Sequence, residues 1–117
     1  MAQFLRVAPV LRVNSRTFPD MRDFFVEQLG FTVGTEIRHF ATLDRDGLTV
    51  MLDCKSVLGW RRGWAAYFWV DDVEAIFREV SERAARLKGG LVDKPYGCRE
   101  FVVIAPDGRE IVFGQRL

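Results

Sequence analysis

Apolar positions along this chain follow two spacings, and the spacings alternate in the same order twice. Around Val10-Leu11-Arg12-Val13 the pattern is strand-like, with Leu11 and Val13 on one face and Val10 and Arg12 on the other. It predicts a strand over 6–13. The spacing then lengthens. Phe18, Met21, Phe25 and Leu29 form the stripe of a helix predicted over 19–29, with Pro19 and Asp20 suited to its first turn and Gly30 as its stop. Strand spacing returns over 32–38, 39–44 and 48–53, with an Asp46-Gly47 turn between the last two.

The second pass begins with a strand over 64–70 and a helix over 72–88. The apolar face of that helix is Val73, Ile76, Phe77, Val80, Ala84 and Leu87. Asp71 and Glu74 have capping-box spacing, and Gly89-Gly90 supply the stop. Strands over 91–93, 100–105 and 109–114 complete it, with Asp107-Gly108 echoing Asp46-Gly47. Each half reads βαβββ, over about 6–54 and 64–115, within one domain spanning 1–117. A glycine-bounded connection over 55–63 joins them. Two copies argue for a paired module and not a solenoid. The fold class is α+β, with helices covering one side of mixed sheets that face each other across a cleft.

Composition narrows the functions. Seventeen basic and sixteen acidic side chains leave a net charge of +1, and the longest basic cluster is Arg61-Arg62. Nucleic-acid binding needs a phosphate-neutralising stripe, which is missing. No apolar run reaches about 18 residues, and the N-terminus lacks an export signal, so the expectation is a cytoplasmic protein without membrane contact. Cys54 and Cys98 are then expected as free thiols.

Strand alternation selects the cleft. Phe68 and Val70 take helix-facing positions, which sends Tyr67 and Trp69 to the cleft, together with Val10, Arg12, Thr49, Met51, Val102 and Val112. That surface is aromatic and apolar with few polar anchors, the make-up of a small-molecule site. Arg99 and Glu100 are adjacent in a strand, so one of them points inward and needs a partner, for which Arg12–Glu100 is one pairing. The candidate ligand-binding residues are Arg12, Met51, Tyr67, Trp69, Glu100 and Val112. Trp60 and Trp64 are placed at the mouth or at a dimer contact. The lone histidine, His39, reads as a strand-end residue, with a cavity base as the alternative.

Three stretches resemble the glyoxalase/bleomycin-resistance/extradiol-dioxygenase (vicinal oxygen chelate) superfamily. They are Phe24-Phe25-Val26-Glu27-Gln28-Leu29-Gly30-Phe31, Val70-Asp71-Asp72-Val73, and the tail Pro95-Tyr96-Gly97-Cys98-Arg99-Glu100-Phe101 followed by Ala105-Pro106-Asp107-Gly108, which resembles the family's Asp-Pro-x-Gly. The tail is similar to the bleomycin-resistance branch. The resemblance implies sheets curved around a cavity, and a homodimer with cavities often built between subunits. It also implies that the metal-ligand positions of metal-dependent relatives fall at Ala8, Met51, Ala65 and Val112. None is an oxygen or imidazole donor, so no metal, no cofactor and no catalytic residue is expected. The reading is a metal-independent protein that sequesters an aromatic or amphipathic small molecule. A metal-dependent lyase, isomerase or dioxygenase and a purely structural dimer are the alternatives.

Overall fold

The structure, a computed structural model, describes residues 1–54 and 62–117. Trp60 and most of the connection between the two halves lie outside the described residues. The first half comprises β1 (Val10–Val13), α1 (Phe18–Asp23), a π-helical turn (Phe24–Gln28), β2 (Thr32–Ile37), β3 (Phe40–Arg45) and β4 (Leu48–Cys54). The second comprises β5 (Trp64–Trp69), α2 (Val73–Glu82), β6 (Val92–Lys94), β7 (Cys98–Ile104) and β8 (Glu110–Arg116). Each half forms a curved, open four-stranded sheet, ordered β1-β4-β3-β2 and β5-β8-β7-β6. The outer pairs β1–β4 and β5–β8 are parallel and the others antiparallel. This is the expected α+β class.

The strand alternation holds where it matters. Leu11, Val13, Val50 and Leu52 are buried on the first sheet, and Phe101, Val103, Ile111 and Phe113 on the second. They join one core with the helix residues Met21, Phe25, Val73 and Val80. A run of phenylalanine rings crosses from one half to the other. Phe25 meets Phe31 at 5.2 Å, Phe31 meets Phe68 at 5.8 Å, and Phe68, Phe113, Phe101 and Phe77 continue at 5.5, 5.1 and 5.2 Å. Such contacts add to plain area burial. They bind the halves into one packed unit whose opposite sheet faces remain open.

Several boundaries differ from the sequence pattern, each for a physical reason. β1 begins at Val10 and not at residue 6, because Pro9 has no N–H to give a ladder. The first helix is α-helical only to Asp23 and widens into the π turn, where the Leu29 N–H donates to the Phe24 carbonyl at 3.2 Å. The Glu27 and Leu29 carbonyls are taken up by arginines, Arg83 at 3.2 Å and Arg45 at 2.8 Å. The second helix ends at Glu82, six residues short of expectation, and Gly89-Gly90 is not its stop. Ala84 turns left-handed (φ 61°), and the Ala85 N–H closes back on the Val80 carbonyl. Residues 86–88 then pair with β7, with Leu87 opposite Val103. Ala84, placed on the apolar face by periodicity, is consequently exposed. The N-cap is Asp72, which accepts from the Ala75 N–H at 3.0 Å, one residue beyond the Asp71 of the expected capping box.

Candidate functional site

β5 is one of the two edge strands of the second sheet, and it carries the aromatic strip. Its register against β8 slips between Trp64 and Ala66, placing two steps on β5 against one on β8. Unbroken alternation would put Trp64 with Phe68 in the core. The bulge instead turns Trp64 onto the open face. Trp64, Tyr67 and Trp69 line up there, with ring centroids 5.5 and 4.8 Å apart. Both tryptophans are 55% exposed.

Beneath the strip lies Glu100, only 1% exposed although charged. The Tyr67 hydroxyl donates to its Oε2 at 2.7 Å, and the Tyr96 hydroxyl donates to its Oε1. A buried carboxylate needs such donors. This arrangement corrects the Arg12–Glu100 pairing. Arg12 lies on the other sheet with its side chain exposed, and its carbonyl accepts from Arg109 at 2.8 Å. Arg99 points to the opposite side of β7, where Asp93 and Glu74 hold it at 2.7 and 2.8 Å. Burial, then the hydrogen bond to Glu100, pushes the Tyr67 phenol well above its ordinary range. For Tyr96 the hydrogen bond to Glu100 is the main cause, and its pKa is pushed up to about 12. Both hydroxyls are therefore firm donors at neutral pH.

Space for this cluster comes from Gly114 on β8, where an added Cβ would stand 1.8 Å from the Tyr67 hydroxyl oxygen. The next cleft-facing residue on β8 is Arg116, whose guanidinium sits 5.2 Å from the Trp69 ring centroid. Tyr96, Gly114 and Arg116 were missed by sequence reasoning. Tyr96 precedes Glu100 by one turn, Tyr96-Gly97, and that spacing was the available signal. Arg116 had none, since its target ring is distant in sequence.

The six expected ligand-binding residues fall into two groups. Tyr67, Trp69, Glu100 and Val112 share the open side of the second sheet, with Tyr67 beside Val112 in register. Val112 is fully buried and serves as floor, not lining. Arg12 and Met51 sit on the first sheet, where Met51 is half-buried beside Val10. A cavity of about 520 Å³ follows the seam between the halves, lined by Pro9, Leu48, Thr49, Tyr67 and Trp69. A second of about 380 Å³ shares Leu48, Phe68 and Trp69 with it and reaches Arg45 and Asp71.

The other candidates separate cleanly. His39 occupies the β2–β3 turn with φ 71°, exposed, its carbonyl accepting from the Cys54 N–H at 2.7 Å. Both cysteines are free thiols, Cys98 buried and Cys54 half-buried. Ala8, Met51, Ala65 and Val112 carry no hard donor atoms and do not fit a divalent cation. Among the described residues no three His, Cys, Asp or Glu side chains form a group able to hold a metal. No helix among them is long and apolar enough to cross a membrane.

Solved structures share this architecture at low identity. The bleomycin-binding protein of bleomycin-producing Streptomyces verticillus, solved with copper(II)-bleomycin, is 24% identical over 97% of each chain, with a TM-score of 0.78. The bleomycin resistance determinant encoded on transposon Tn5 is 18% identical over 97% of this chain and 98% of its own, with a TM-score of 0.79. TioX from Micromonospora sp. ML1 is 22% identical over 97% of this chain and 100% of its own, with a TM-score of 0.76. No curated protein matches the chain. The model of the glyoxalase/bleomycin resistance protein/dioxygenase superfamily matches residues 6–113, and the chain belongs to that superfamily.

Proposed function

We propose that this protein binds an aromatic or amphipathic small molecule against the Trp64–Tyr67–Trp69 strip and sequesters it without chemistry, in a cleft completed by a second copy of the chain. The observation that carries this reading is the strip itself. Large rings left half in solvent, over a floor fixed by Glu100 and Val112, offer stacking faces whose geometry is already set. Preset rings lose little entropy on binding, which favours affinity. Sequestration needs affinity and stoichiometry, and no catalytic group is required for it.

The second copy is inferred from surfaces that one chain leaves uncovered. Val10, Ile37, Trp64 and Trp69 are exposed on the strands, and Phe4, Leu5 and Val7 stand almost free before β1. Apolar surface of this extent is normally covered by a partner. Arg12 and Met51 of one copy would then oppose the aromatic strip of the other, reuniting the two groups of expected ligand-binding residues. Free thiols at Cys54 and Cys98 accord with a cytoplasmic setting.

Tryptophan fluorescence tests the reading, with bleomycin, copper(II)-bleomycin and a panel of flat aromatics as probes. The expected result is saturable quenching at micromolar concentration that disappears in Trp69→Ala. A flat response across the panel would leave the cleft with a structural role only. Chelation should leave any quenching unchanged, and loss of binding on treatment with EDTA would favour a metal-dependent enzyme instead.

A further inference from the structure

The aromatic strip already holds a cation of its own. Arg116, the last residue of β8, places its guanidinium 5.2 Å from the centre of the Trp69 ring, within the range for attraction to the ring face. Among the described residues no carboxylate lies within ion-pair distance of it, so the ring is what orients this exposed side chain. Other arginines of the chain are used differently. Arg45, Arg99 and Arg109 are each tied to carboxylates at 2.7–2.8 Å. Arg116 is held by the kind of contact that a ligand can replace.

The charge beneath the strip points the same way. The Glu100 carboxylate is satisfied by two phenols and by no cation among the described residues, so its negative charge is hydrogen-bonded but not neutralised. Each phenol that donates to it is polarised, which makes its oxygen a better acceptor and its ring richer in electrons. Tyr67 stands between that carboxylate and Trp69, its ring 4.8 Å from the indole. A positive group on Trp69 therefore meets both the ring quadrupole and an uncompensated buried charge.

Resting on the cleft reading above, we propose that the sequestered molecule carries a positive charge, and that Arg116 occupies the seat of that charge on Trp69 until the ligand displaces it. The side chain is a built-in competitor. It holds the seat of the charge on Trp69, so a cation must displace it, whereas a neutral aromatic stacks on the strip without needing that seat.

Titration calorimetry at pH 8 with two flat tricyclic probes tests this: N-methylacridinium, permanently charged, and acridine, neutral at that pH. In the natural protein the cation should bind more tightly. Arg116→Ala should raise its affinity by about tenfold and Arg116→Glu by more, with acridine changing by about twofold or less. Glu100→Gln should weaken the cation selectively. If that variant does not fold, the two Arg116 variants still decide the matter, because residue 116 is exposed. Equal affinities for both probes, or equal responses to Arg116→Ala, would overturn the displaced-arginine proposal while leaving the cleft intact. Failure of both probes to bind any variant would remove the cleft reading and this inference together.

Discussion

A methyl group on Gly114 would stand 1.8 Å from the Tyr67 hydroxyl oxygen, so Glu100 keeps this donor only because residue 114 has no side chain. Gly114→Ala should therefore destabilise the fold by about 1–3 kcal/mol in urea denaturation. The cost should shrink in a Tyr67→Ala background, where the clash is gone, and an additive double-mutant cycle would show that the two residues are independent. Ala84 presents the opposite case. It adopts φ 61° at the end of α2, a conformation that costs an L-residue and not glycine. Ala84→Gly should raise stability by about 0.5–1 kcal/mol, and a lowered melting temperature would show that Ala84 is unstrained. Neither position announces itself in the sequence. Gly114 lies within an apolar run, and Ala84 continues a regular helical stripe.

At the level of elements, the two halves are fastened where the π turn meets α2. Arg45 on β3 forks onto Glu79, with both nitrogens at 2.8 Å from carboxylate oxygens, and also donates to the Leu29 carbonyl that follows the π turn. Arg83 adds a second cation to Glu79 at 3.2 Å. The hydrogen bond from Arg45 holds the Glu79 carboxyl below its ordinary value of 4.5. A depressed carboxylate stabilises the fold at pH above its unfolded value and loses that contribution as pH falls through the folded one. Melting temperature should therefore fall more steeply below about pH 4.5 in the natural protein than in Glu79→Gln. Parallel pH profiles for the two would detach this clamp from acid stability. The helix pattern identified the buried faces, since Phe18, Met21, Phe25 and Leu29 are all buried. It misplaced the helix ends because end points depend on what takes the loose backbone groups. For the π turn these are Arg45 from β3 of the same half and Arg83 from the other half, and for residues 86–88 the free side of β7.

For the whole molecule, the relevant fact is what a single chain leaves open. Its radius of gyration, 14.6 Å, exceeds the roughly 13 Å expected of a compact chain of this length, and an extended N-terminal segment contributes to the difference. Phe4, Leu5 and Val7 are each at least 90% exposed. If they cover a second copy, sedimentation equilibrium should give a dimer at micromolar concentration. Removing residues 1–9 should weaken it by at least an order of magnitude, and an unchanged dimer would place the contact elsewhere. If Arg12 and Met51 face the strip from a partner, as proposed, the quenching lost in Trp69→Ala should fall in step with dissociation.

Periods of two and of three to four residues, repeated in order, were enough to specify paired βαβββ halves, the buried side of β1 and β4, and the open side on which Tyr67 and Trp69 lie. Those features follow from local geometry, in which a side chain's direction depends on its neighbours along the chain. The bulge that recruits Trp64, the Tyr67 hydroxyl that reaches Glu100, the arginine on Trp69 and the early end of α2 could not be read that way. Each depends on groups far apart in sequence competing for the same hydrogen bond, charge or volume, and such competition is settled only when the sheets close over one core.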